Sequence, residues 1–345
     1  MNKASLLRQF ERTALNSLHA IGIDVGGTKI AAGLVDLQTG AVASRRQVDT
    51  EFKRGGEPVL ADVRQIAIDL MAQAARSGVD LQGIGIGVAE LVSPEQDIFS
   101  GYRIAWKGLD VKERLSHLLP TAVNSDVRAA ARAESRFGAG RPFRQFIYVT
   151  IGTGVSAVLV QDGEPFCGSR GAALVIGNGP TRRVCGTCGE VTMPVLEDIA
   201  SGPGIAAAYG TSGGADEVLQ AAAGGDARAI AVIDHAASEL GQVLALLVNS
   251  LDPEAVIVGG GLGCAPGRYW DRLQAAIRAG LWDRDERMLV IYQAELGTDA
   301  GLIGAALGTI DHTKNRANGH ITQGKETTGL LRSGPETAKG SLDNG

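Results

Sequence analysis

Three short glycine turns constrain this chain more than anything else in it. Gly26-Gly27-Thr28, Gly152-Thr153-Gly154 and Gly259-Gly260-Gly261 each follow a short apolar, β-rich run: AIGIDV at 20–25, QFIYVTI at 145–151 and AVIV at 255–258. A backbone turn that cradles phosphate needs exposed N–H groups and no Cβ in the way, which is what glycine provides. One glycine pair after a strand is ordinarily a hairpin turn. Three in this order, with Asp24 ending the first run and Asn124-Ser125-Asp126 between the first two turns, ask for more than hairpin geometry.

The first turn matches neither common nucleotide pattern. It lacks the G-x-x-x-x-G-K-[ST] of a P-loop and the G-x-G-x-x-G of a Rossmann turn. A second β-rich run, not a helix, follows it to Asp36, and the Gln38-Thr39-Gly40 turn leads into a third. A Rossmann dehydrogenase is therefore disfavoured. Further along, 57–77 has helical spacing, GIGIGVA at 83–89 reads as a buried strand, and TAVNSD at 121–126 reads as a strand that hands over to an Ala-rich helix. A long helix is expected over 226–250, another around 266–280, and a last ordered element over 299–310. From 311 the chain is rich in Gly, Thr, Lys, Ser and Asn, and reads as a disordered tail.

The 345 residues suffice for two domains. A formal net charge of −5 argues against a nucleic-acid partner held by phosphate contacts, though not against a nucleotide. No apolar run approaches the about 18–20 residues of a transmembrane helix. The polar start, MNKASLLRQFERTALNSLHA, reads as a helical extension over 1–19 and not as a signal peptide. The expectation is a soluble cytoplasmic protein with no membrane partner and the option of a homodimer.

D-x-G-G-T-K near the start, N-x-D ahead of an Ala-rich helix, I-G-T-G, I-V-G-G-G and a closing L-G-x-D-A-G-L-I-G-A-A resemble the motifs of the ROK family, over roughly 20–310. That resemblance implies an α/β, two-domain actin/hexokinase-like (ribonuclease H-like) fold with a cleft between the domains. The first would cover 20–123 plus 298–310, the second 124–297. The family contains ATP-dependent sugar kinases and repressors that carry a winged helix ahead of the first turn. About twenty residues precede that turn here, so the kinase branch is expected, with ATP and Mg²⁺ as cofactors and a small polyol as partner.

Phosphoryl transfer is mostly positioning and charge neutralisation, plus a base for the acceptor hydroxyl. Asp126 matches the family's catalytic Asp; from spacing alone it could equally be only a helix cap. Asp24 is expected to hold magnesium, directly or through water. Gly26, Gly27, Thr28, Lys29, Gly152, Thr153 and Gly154 would hold the phosphates, and Gly259, Gly260 and Gly261 the adenosine side. Asn124, Asp126, Glu197, Asn178, Glu90 and Arg103 are the expected substrate contacts.

The sequence departs from the family on the acceptor side. Where sugar kinases of the family read G-A-A-G-E-I-G-H, this chain has Gly171-Ala172-Ala173-Leu174-Val175-Ile176-Gly177-Asn178, so the Glu is Val175 and the His is Asn178. The family's N-x-x-W reads Arg103-Ile104-Ala105-Trp106, and Ala89-Glu90-Leu91 stands where Pro-Gly is usual. Glu197 is kept, but the cysteine two residues before it is Val195. The family's zinc site uses that His and three cysteines. Cys185 and Cys188 form a C-x-x-C without that complement, so no zinc is expected, although Cys167 could fold in. An apolar Val in place of a carboxylate points to an acceptor other than glucose. A C7-cyclitol such as a valiolone-type carbasugar fits, and so do amino sugars and other hexoses. A kinase-derived protein without activity and a sugar-responsive binding protein are the alternatives.

Overall fold

The structure is a computed structural model that describes residues 18–180, 183–184, 186–282 and 288–319, with side chains in the last helix as far as 310. Strands β1 (His19–Val25), β2 (Lys29–Asp36) and β3 (Val42–Asp49) form a meander, followed by helix α1 (Gly56–Arg76) and β4 (Leu81–Val88). Then come α2 (Val111–Ser116), β5 (Thr121–Ser125) and α3 (Asp126–Phe137). The second half begins with β6 (Gln145–Ile151), β7 (Val155–Gln161) and β8 (Glu164–Pro165), then a small pair, β9 (Arg183–Val184) and β10 (Val191–Thr192). Four helices follow: α4 (Glu197–Ala200), α5 (Gly202–Tyr209), α6 (Gly214–Ala223) and α7 (Ala227–Leu251). The chain ends with β11 (Ala255–Gly259), α8 (Arg268–Ala279), β12 (Val290–Gln293) and α9 (Ala300–Gly319).

The two large sheets share one strand order. In the first it is β3-β2-β1-β4-β5, in the second β8-β7-β6-β11-β12. In both, the opening meander is antiparallel and the two later strands run parallel to the first. The sequence has the periodicity to cover both faces of each sheet. Ile21, Ile23 and Val25 of β1 pack towards α1, while Ala20 faces the other way, towards α3 and α9. Phe146 and Tyr148 of β6 join that same middle layer, and Ile147, Val149 and Ile151 face α7 and α8. The result is five alternating layers, with α3 and α9 between the sheets. Helix α9 lies directly on β1 and β4, because a β-carbon at Gly22 or Gly85 would overlap the carbonyls of Leu302 and Ala305.

Local signals set the helix ends. Asp226 caps α7 by accepting from the Ala229 N–H, and Asp252 closes it in the left-handed region. Helix α7 is long and apolar enough by length and composition to cross a membrane, contrary to the reading of the sequence. Here its apolar face, through Ile233, Leu240, Leu244 and Val248, is taken up by the second core. Helices α4 to α6, over 197–223, carry no strong sequence periodicity and were not anticipated. Helix α9 continues to Gly319, past the expected boundary at 310. Strand β1 begins at His19, inside the segment assigned to the extension; the rest of that extension, apart from Leu18, and the tail from 320 lie outside the described residues.

Candidate functional site

The three turns are fixed by backbone contacts. At the first, the Gly26 N–H donates to the Lys29 carbonyl (3.0 Å), and the fully buried Thr50 donates its hydroxyl to the Gly26 carbonyl (2.8 Å) and its N–H to that of Thr28 (2.9 Å). Thr28 and Lys29 are exposed. At the second, Gly152 N–H donates to Gly154 O (2.9 Å), and Gly202 N–H, at the start of α5, to Gly152 O (2.8 Å). The third folds back onto the end of β6, with Leu262 and Gly263 both donating to Ile151 O (3.0 and 3.2 Å). Gly260 must be glycine: its φ is +83°, and a β-carbon would overlap the Ile151 backbone. The second and third turns are thus fastened to one strand end.

Asp24 and Asp126 meet at the ends of β1 and β5. Gly87 of the intervening β4 separates them; its β-carbon position lies 3.6 Å from both Asp24 Oδ1 and the Asp126 α-carbon. Gly301, at the start of α9, closes over the Asp24 carboxylate. Burial raises the Asp24 pKa to about 6, with Lys29 acting against it. Asp126 is raised to about 7, by burial first and then by the charge of Asp24, with Glu90 adding to it and the Val127 N–H (2.6 Å to Oδ1) opposing it. Two carboxylates that resist joint ionisation suit a bound cation. Gly152 and Gly261 have open space where a side chain would project.

The expected substrate contacts are side chains. Glu197 accepts from the Val155 N–H (3.0 Å) through one oxygen and from Arg103 Nη2 (3.0 Å) through the other. Arg103 belongs to the loop after β4 and passes Gly27, so the Arg103–Glu197 pair joins the two halves of the molecule between the first and second turns. Val175 and Asn178 are exposed. Two expected sugar contacts have other surroundings. Glu90 is buried, and it accepts from the N–H groups of Tyr102 (3.0 Å), Arg103 (2.7 Å) and Ile104 (3.0 Å) and from the Ser100 hydroxyl. Its acceptors are committed to shaping the Arg103 loop, which the buried Ile104 and Trp106 anchor. Asn124 accepts from the Ser125 N–H (3.0 Å) and lines a separate pocket behind β5. Cys185 lies outside the described residues, Cys188 is exposed, and Cys167 sits beside Arg128, so the zinc question stays where the sequence left it.

Sequence reading missed Thr50, Gly87 and the start of α5. Nothing near them in the chain signals their task, which arises only when strand ends converge.

The ROK family model matches residues 20–311. The chain belongs to the ROK family. It is 29% identical to a glucokinase of Halalkalibacterium halodurans, over 82% of this chain and 92% of that protein. It is 31% identical to an N-acetylmannosamine kinase of Citrobacter koseri, over 84% of this chain and 98% of that one. A crystal structure of a ROK family glucokinase from Streptomyces griseus with glucose and AMPPNP is 30% identical and superposes with a TM-score of 0.70, over 84% of this chain and 98% of that chain. The fold is the two-sheet α/β fold of ROK kinases, as the sequence led one to expect.

Proposed function

We propose that this protein is an ATP-dependent kinase that transfers the γ-phosphate to a primary hydroxyl of a sugar-like polyol. The observation that carries the reading is the meeting of Asp24 and Asp126 beside three backbone-braced glycine turns. A carboxylate with a pKa near 7 is matched to accepting a hydroxyl proton at neutral pH. Asp126 would orient and deprotonate the acceptor. Asp24 would hold magnesium, which when bound neutralises phosphate charge. The glycine turns would position the nucleotide, with Gly259, Gly260 and Gly261 on the adenosine side. The related sugar kinases support this choice over an inactive or purely sugar-binding protein.

The acceptor reading is finer. Glu197 is held by Arg103, and Val175 and Asn178 offer no carboxylate or imidazole to a sugar. We read the acceptor as a polyol altered at the end opposite its hydroxymethyl group, a C7-cyclitol among them, and not as ordinary glucose. Amino sugars are the second reading, favoured by the N-acetylmannosamine kinase relative. The test is a transfer screen with labelled ATP across hexoses, acylated amino sugars and cyclitols. Preference for a cyclitol supports the reading. Efficient phosphorylation of glucose would sink it and leave Glu197 and Arg103 as its hexose contacts.

A further inference from the structure

Behind β5, away from the cleft, lies a pocket of about 180 Å³. Its polar wall is Ser93, Gln96, Asn124, Arg128, Arg132 and Cys167, and Ile86 and Val123 supply apolar surface. None of Asp24, Asp126, Arg103, Glu197 or the glycine turns lines it.

Arg128 is only 6% exposed. Its Nε donates to Ser125 Oγ (3.0 Å) and its Nη2 to the Val92 carbonyl (2.5 Å), both neutral acceptors. Among the described residues no carboxylate pairs with it; it also hydrogen-bonds the Cys167 side chain, and a second guanidinium, Arg132, lies nearby. Burial pushes its pKa down. Arg132 is paired at 2.9 Å with Glu164, whose side chain is mostly exposed at the rim. The buried Arg128 thus has no carboxylate partner among the described residues, and the carboxylate on its neighbour Arg132 lies at the periphery. A buried charge without a counter-charge is expensive, and a guanidinium binds oxyanions through a planar fork of donors. A hydroxyl and two amides complete the wall, which suits a tetrahedral oxyanion with many acceptors better than a carboxylate with two oxygens.

We propose that this pocket is a second ligand site for a phosphate group, carried by inorganic phosphate or by a phosphate monoester, with Arg128 as its main anchor and Arg132 as its second. The site stands apart from the phosphate turns and does not depend on which acceptor the cleft takes.

The test is calorimetric titration of inorganic phosphate into the full chain saturated with AMPPNP and magnesium, so that the cleft's own phosphate positions are filled. Nucleotide binding is measured first, and its absence would count against the kinase reading alone; the titration is then run on the free protein. Phosphate should bind, and Arg128→Gln should weaken it by roughly 10–100-fold, the range for losing charged hydrogen bonds. Arg132→Gln should weaken it by a smaller factor. Glu164→Gln, a surface change that leaves the core untouched, should tighten it several-fold by releasing Arg132. It also keeps the test decisive if Arg128→Gln does not fold. Glucose 6-phosphate in place of phosphate separates the sources: tighter, Arg128-dependent binding assigns a monoester, and equal or weaker binding assigns free phosphate. No phosphate binding to the unmodified protein, phosphate binding insensitive to Glu164→Gln and Arg132→Gln, or a preference for acetate would overturn the proposal.

Discussion

The proposed nucleotide side and the proposed acceptor side of the site are made in different ways. The first consists of strand ends and backbone turns, braced by carbonyl and N–H contacts of Gly26, Gly152, Ile151 and Thr50. The second consists of side chains: Arg103, Val175 and Asn178 on loops, and Glu197 at the start of α4. Backbone cradles tolerate little change, because a β-carbon at Gly260 already overlaps the next strand. Side chains on loops can be exchanged without disturbing the sheets. Of the substitutions that separate this chain from the family pattern, Arg103, Val175 and Asn178 fall on the second kind of surface, while Glu90 is buried under the Arg103 loop. A fold can therefore keep its transfer chemistry while its acceptor changes.

The largest expected effect lies where the two sides meet. Asp126→Asn should lower turnover by about 10²–10⁴-fold, the usual cost of losing a general base, with AMPPNP affinity largely kept. The acid limb of the kcat/KM profile, expected near pH 7 from the raised pKa of Asp126, should vanish with it. Turnover near that of the unmodified enzyme would remove Asp126 from the mechanism and break the division between the sides.

On the acceptor side, Val175→Glu combined with Asn178→His should raise kcat/KM for glucose by about 10–100-fold, since each hydroxyl given a partner is spared a loss of about 1–3 kcal/mol. Steady-state kinetics with saturating ATP would show it. No gain would mean that acceptor choice is set elsewhere, with the Arg103 loop the first place to look.

Asp24→Asn tests the nucleotide side through stability. Asp24 titrates at about 6 in the folded protein against an ordinary 3.8, so between those values the native state holds a proton that the unfolded chain has released. Its effect on folding is neutral below about pH 4, grows more destabilising between about pH 4 and 6, and stays at that level above. The Asn variant should then be more stable at pH 8, by on the order of 1–3 kcal/mol, while binding magnesium nucleotide poorly. Denaturant melts at pH 4 and pH 8 check the sign; equal stability at pH 8 would place Asp24 in a better-solvated setting. The smallest effect is expected from Arg103→Ala. The ion pair with Glu197 is partly exposed, a class worth about 0–1 kcal/mol, so thermal stability should barely move. The acceptor KM should shift by a few-fold. A large fall in melting temperature would make the pair a structural strut.

The three turns, the strand ahead of each and the helix start at Asp126 were legible because each rests on local pattern: apolar runs, glycine after a strand, a polar residue before an Ala-rich helix. The task of Glu90 was not. A glutamate after a strand looks like a site residue, and only the return of the chain at 100–104 brings three N–H groups to it. Asn124 misled for a similar reason: its neighbour two residues on starts a helix, so strand alternation no longer says which space each side chain enters. Arg128 looked like one more charge in an Ala-rich helix until the 92–96 and 165–167 segments closed around it.

Helix α9 lies against β1, β4 and β5, and the glycines of those strands have no side chains to cover the face it occupies. Residues 300–310 therefore complete a sheet that was synthesised at the other end of the chain. On a ribosome the first sheet is finished by Ser125, yet one of its faces waits for about 175 more residues, roughly 10–35 s at about 5–20 residues per second. Through that interval Ile84 and Ile86 have their final neighbours on one side only by way of α1, and backbone at Gly22 and Gly85 stands bare. The N-terminal sheet thus gains its last covering layer from the end of the chain, although it is made first. A stop codon before residue 300 removes more than a tail: it leaves the earlier sheet without its second wall.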